Sequence, residues 1–86
     1  MPPPLLNVGY GNFVATDKII AVVEPDSAPI KRVVTEFRKR GMVIDATAGH
    51  KTRAVLALNS GHLLLSANKP DTLAQKINGS SALEDV

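Results

Sequence analysis

Two short runs, Ala54–Leu58 (AVLAL) and residues 63–67 (LLLSA), place apolar residues at nearly every position. Successive residues of a strand face opposite sides, so strands written this way must be buried on both faces of a sheet. Ser60-Gly61 lies between them and reads as a tight turn, with strands predicted over 53–59 and 62–67. A third apolar segment, MVIDAT, predicts a strand over 42–47. Ala48-Gly49 then leads into His50, Lys51 and Arg53, which predicts a β-hairpin with a basic tip.

The first half supplies more strand and one helix. LLNVGYG reads as a strand ending at Gly9 and Gly11, and Gly9-Tyr10-Gly11 reads as a turn. Residues 13–16 and 19–23 are rich in β-branched types and flank Asp17-Lys18. Pro2, Pro3 and Pro4 predict an extended start. Asp26 or Ser27 can cap a helix, Pro29 suits its first turn, and Gly41 after Arg38-Lys39-Arg40 stops it. Ile30, Val33, Val34 and Phe37 recur at helical spacing and predict one apolar face. Residues 70–77 predict a short second helix, capped by Asn68 or opened by Pro70. Residues 1–79 read as one domain, and 80–86 as a mobile acidic tail.

One helix of this size covers one sheet face. The other face needs either a second copy of the chain or a barrel-like closure. Self-association is the favoured reading, because an 86-residue chain without cysteine lacks the disulfides on which small domains often rely. No secretory signal or membrane-spanning run is expected, and absence of cysteine fits a reducing cytoplasm.

Charge is unevenly placed. Net charge is +2, yet the stretch 31–53 carries seven Lys/Arg against two acids. A basic middle on a near-neutral chain points to a polyanion-facing surface. Lys51 and Arg53 alternate and can share one side of an extended segment. The aromatics Tyr10, Phe13 and Phe37 all lie far from this tip in sequence, which argues against stacking on single-stranded bases and for duplex DNA held through phosphates. GHKT does not complete a nucleotide loop, because His50 stands where glycine is required before the lysine. The two histidines, His50 and His62, lack the companions of a metal site. Asp45 reads as a partner for Arg53 or for the hairpin backbone rather than a general base. No enzyme, cofactor, metal, membrane or small-molecule substrate is expected. The alternative to DNA binding is an oligomeric scaffold whose basic residues pair with acids of a neighbouring subunit.

The ordered motifs NVGYGNFV, Ser27-Ala-Pro-Ile-Lys-Arg, Gly41-Met-Val-Ile-Asp-Ala-Thr, Gly49-His-Lys-Thr-Arg-Ala-Val and Leu65-Ser-Ala together resemble the bacterial extracellular-matrix regulator RemA family over about residues 5 to 77. The resemblance implies a cytoplasmic, DNA-binding activator of biofilm-matrix genes. It also implies a LytTR-like α+β subunit assembled into a ring-shaped homo-oligomer that bends or wraps DNA. Two family arginines align with His50 and Lys51, a basic residue with Lys18, and the helix-start proline with Pro29. The expected fold is therefore a small antiparallel sheet domain with one amphipathic helix and a short C-terminal helix. The expected DNA-facing set is Lys18, His50, Lys51 and Arg53, with Arg32 from the helix.

Overall fold

A computed structural model describes residues 4–84, with side chains described through residue 78. Strands β1 (Leu5–Gly9) and β2 (Asn12–Ala15) form a two-stranded antiparallel sheet. A single 3-10 turn at Thr16–Lys18 leads into β3 (Ile19–Val23), followed by helix α1 (Ala28–Lys39), β4 (Val43–Asp45), β5 (Ala54–Leu58), β6 (Leu63–Ser66) and helix α2 (Pro70–Glu84). The larger sheet has the order β3-β5-β6-β4.

That order corrects the expected hairpin. β4 does not pair with β5; it lies parallel to β6, which pairs antiparallel with β5. The sheet is mixed, not purely antiparallel. The physical reason lies in the strands themselves. AVLAL and LLLS can be buried on both faces only at the centre of a sheet, where neighbours also satisfy both edges. The short β4, which ends on charged Asp45, takes an edge. Residues 46–53 therefore form a crossover that spans two strand spacings, about 10 Å, over the end of β6.

Both faces of the larger sheet are covered by the chain itself. Ile30, Val34 and Phe37 of α1 pack with Val55, Leu63 and Leu65 on one side. On the other, Leu56, Leu58 and Leu64 pack with Leu6 and Val8 of β1 and with Leu73 of α2. The two-sided apolar strands thus do not by themselves require a second copy, and the expectation that they do is corrected. The covering element that the sequence reading overlooked is the β1–β2 hairpin with α2. Ser66, fully buried, donates from Oγ to the Val8 carbonyl at 2.8 Å and ties that hairpin to β6.

Helix α1 follows its local signals. The Ser27 side chain accepts from the Ile30 N–H at 3.3 Å, and proline occupies the first turn. Gly41 adopts a φ of 71°, the left-handed conformation that closes the helix. The Met42 N–H donates to the Phe37 carbonyl and the Gly41 N–H to that of Arg38, the paired bonds of a Schellman ending. Val33, expected on the apolar face, is instead exposed. α2 begins at Pro70, one of the two predicted starts. It continues to Glu84, past the predicted stop at Ile77, and so overlaps most of the expected tail. Residues 85–86, like the predicted extended start at Pro2 and Pro3, lie outside the described residues.

Candidate nucleic-acid interface

The crossover 46–53 is anchored at both ends to β6. The Ala46 N–H donates to the Leu65 carbonyl at 2.9 Å, and the Arg53 N–H to the Ser66 carbonyl at 2.8 Å. Between these anchors the organising residue is Thr47, only 2% exposed. Its N–H and hydroxyl both donate to one Asp45 carboxylate oxygen, at 2.9 and 2.6 Å. Its carbonyl accepts the His50 N–H at 2.9 Å and faces the His50 ring Nδ1 at 3.2 Å. A carbonyl can only accept, so this contact requires the hydrogen on Nδ1 and leaves Nε2 as the free ring nitrogen.

Asp45 therefore works inside the loop. The Thr47 hydroxyl first, then the Thr47 N–H, and to a smaller extent the charge of Arg38 hold its carboxyl below the usual value of 3.8, against a small opposing effect of burial. The expectation of a backbone hydrogen-bond partner holds; Arg53 is not that partner. A group whose folded pKa is depressed adds stability above its unfolded pKa and loses it as pH falls through the folded value. Asp45→Ala orphans the buried Thr47 N–H and hydroxyl, and is expected to cost about 1–3 kcal/mol at neutral pH. The gap from wild type should begin to narrow as pH falls below about 3.8. Urea unfolding at pH 7 and at pH 3 checks both statements, and equal losses at the two pH values would contradict the role of the charge.

The exposed side chains follow this frame. Lys51 and Arg53, with Thr52 between them, line a recess of about 260 Å³ that also holds Lys69 and the acids Glu24, Asp26 and Asp71. An adjoining groove of about 330 Å³ is lined by Thr52, Lys31, Thr35 and Arg38. The positions 31, 35 and 38 fall on one stripe of α1, so the two cations Lys31 and Arg38 flank the crossover from the helix. Among the described residues one ion pair forms, Lys39 with Glu36 at 3.7 Å on the exposed helix surface. Neither Lys51 nor Arg53 forms an ion pair among the described residues, despite the nearby carboxylates.

Of the predicted residues, the structure brings together His50, Lys51 and Arg53. Lys18 lies elsewhere: its carbonyl accepts the Asn59 N–H at 2.8 Å, at the opposite end of β5. Six residues of extended chain separate Asn59 from Arg53, about 20 Å. Arg32 sits beside the cationic stripe of α1 but lines neither recess. Lys31, Arg38 and Lys69 are the cations that the predicted set omitted.

Tyr10 was also missed. Its ring stacks on that of His50, with centroids 4.6 Å apart and planes 12° from parallel. An aromatic thus does lie at the basic loop, contrary to the sequence expectation, but one face of its ring is taken by His50 and so is not open to an unpaired base. Forty residues separate the pair, and the signal available was only a bulky residue between two glycines in a turn.

Among the described residues, no group of three or more His, Asp or Glu could hold a metal ion. No helix among them is long and apolar enough to cross a membrane.

The chain is similar to proteins named "Putative regulatory protein" from several bacteria. The relative from Alkaliphilus metalliredigens is 50% identical over 82 residues, 95% of this chain and 88% of the relative. That from Synechococcus elongatus is 56% identical over 77 residues, covering 90% and 88%. That from Halothermothrix orenii is 53% identical over 75 residues, covering 87% and 89%. Residues 5–77 match the family described as extracellular matrix regulatory protein A-like. With its mixed-sheet domain and exposed cationic crossover, the chain belongs to this RemA-like family.

Proposed function

We propose that this protein is a cytoplasmic, non-enzymatic transcriptional regulator of extracellular-matrix genes that binds duplex DNA through the 46–53 crossover. The observation that carries the reading is that Lys51 and Arg53 are exposed, line one recess and, among the described residues, stand without an ion pair. Each such cation that meets a phosphate releases counterions, which favours binding and makes it depend on salt. Lys69, Lys31 and Arg38 add cations to either side, with Glu24, Asp26 and Asp71 also lining the recess. Membership in a family described by regulation supports the assignment to gene control. No cofactor, metal or small-molecule substrate enters this reading.

The protein acts as a homo-oligomer, a ring of LytTR-like subunits, in which a few contacts per subunit combine into avidity. Support comes from the outward face of the β1–β2 hairpin. Register places Leu5, Asn7, Phe13 and Ala15 on that face, and Leu5 and Phe13 are 65% and 57% exposed. Ile20, 69% exposed, lies on the edge strand β3. Exposed apolar side chains of this size mark contact surfaces more often when they cluster than when they occur singly. Lys18 and Arg32, away from the crossover within one subunit, join the DNA surface through this repetition.

Titration of a labelled duplex at several salt concentrations tests the reading. Log affinity should fall linearly with log salt, with a slope of about −0.9 for each phosphate contact. Disassembly at high salt, with no duplex retained at any protein concentration, would instead identify a charge-paired scaffold.

A further inference from the structure

We infer that Tyr10 is a positioning residue of the basic crossover, its ring holding the His50 imidazole flat so that the neighbouring Lys51 is presented in one geometry. The inference rests on the DNA-binding reading and adds to it a residue that carries no charge.

The first observation is backbone strain. Tyr10 and Gly11 form the two-residue turn between β1 and β2, with φ of 55° and 80°. Turns of this kind favour Asn, Asp or Gly at both positions. A bulky side chain in the left-handed region costs about 1–2 kcal/mol. The turn makes no use of the tyrosine ring. It is fixed by polar side chains: the Asn7 Oδ1 accepts the Gly9 N–H at 2.8 Å, and the Asn12 amide donates to the Gly9 carbonyl at 3.1 Å. The hairpin core does not use the ring either. Leu6 and Val8 fill that core, whereas Tyr10 is 55% exposed. The ring's distinguishing contact is the stack on His50.

The second observation is that His50 is held on two sides. Thr47 grips one edge of the imidazole through Nδ1, and Tyr10 covers a face. The strand behind Tyr10 is tied to its neighbours by two hydrogen bonds. The Val8 carbonyl is held by the Ser66 hydroxyl, and the Asn7 carbonyl accepts from Lys76 Nζ at 3.1 Å. The stack thus fixes the middle of a crossover whose two ends are already bonded to β6. A loop ordered before binding loses less conformational entropy when it meets its ligand.

The test compares Tyr10→Asn, which suits the turn and removes the ring, with Tyr10→Phe, which keeps the ring. In proton NMR the His50 ring signals should lose the shielding of the stacked ring in Tyr10→Asn and keep it in Tyr10→Phe. Duplex affinity of Tyr10→Asn should fall about threefold to tenfold, the worth of one aromatic pair. Its salt slope should stay at the wild-type value, because no charge is lost. Tyr10→Phe should bind like wild type. Tyr10→Asn binding at full strength would overturn this inference alone. Equal weakening of both variants would also overturn it, by making the phenol hydroxyl a direct contact. A wild-type protein that retains no duplex would end the DNA reading itself.

Discussion

Duplex affinity is expected to fall by at least about a hundredfold when Lys51 and Arg53 are both replaced by alanine, while the fold survives. Each charge-assisted contact contributes about 1.5 kcal/mol or more, and each 1.4 kcal/mol is a factor of ten. In an oligomer the loss repeats with every subunit that touches the same duplex, so the measured effect should be larger. The fold is spared because both side chains are exposed and neither is held by an ion pair among the described residues. The structural work of Arg53 lies in its backbone N–H, which the substitution keeps. Loss of two phosphate contacts should also flatten the salt dependence by about 1.8 per engaged subunit. Titration at three salt concentrations, with light scattering on the same samples, reads affinity, slope and assembly together. Unchanged affinity would move the interface to Lys31 and Arg38, whose groove adjoins the crossover at Thr52.

The parts of this molecule that were legible in its sequence depend on neighbours in the chain. Helix α1 could be bounded from Ser27 and Gly41 because a cap and a left-handed stop act within one turn of where they stand. The strands were placed for a similar reason, since β-branched and apolar runs mark them locally. Their order was not legible. Ala48-Gly49 has the form of a hairpin turn, with φ of 53° and 83°, yet it lies in a crossover. What decides between the two is competition for the sheet centre, where β6, buried at every position, outranks β4. Two other non-local pairings set the loop's neighbours: β3 runs antiparallel to β5, which puts Lys18 beside Asn59, and the β1–β2 hairpin is tied to β6 at Val8, with Tyr10 of its turn stacked on His50.

The double burial of AVLAL and LLLS demands cover on both faces, and the second cover comes from within the chain, not from a second copy. Its true source is spread along the chain as Leu6 and Val8 near one end and Leu73 near the other. Neither segment resembles a cover when read alone. β1 exposes Leu5 and Asn7 while burying Leu6 and Val8, and among the described residues α2 contributes the fully buried Leu73 with Ile77 beside it. Oligomerisation therefore has to be supported from a different place, the exposed Leu5 and Phe13 on the outer face of the hairpin.

Leu56→Ala provides a quantitative check on that division between cover within the chain and contact between copies. Leu56 is 0% exposed and sits opposite Val22 on one side and Leu64 on the other. Its removal leaves a void between β5 and the elements that cover it, Leu6 and Val8 of β1 and Leu73 of α2. Truncation of a buried leucine to alanine costs about 2–5 kcal/mol. The whole domain is expected to be stable by only about 4–13 kcal/mol at the usual stability per residue. A melting temperature lower by about 10 °C or more should follow. Val33→Ala, at an exposed site on α1, should change stability by less than about 0.5 kcal/mol. Because the partners of Leu56 lie on its own chain, the stability difference between wild type and Leu56→Ala should not vary with protein concentration. A Phe13 variant should behave oppositely, with little effect on the dilute subunit and a growing effect as copies associate. Urea unfolding at protein concentrations a hundredfold apart separates the two behaviours. A concentration-dependent Leu56 effect would return the second sheet face to the oligomer interface.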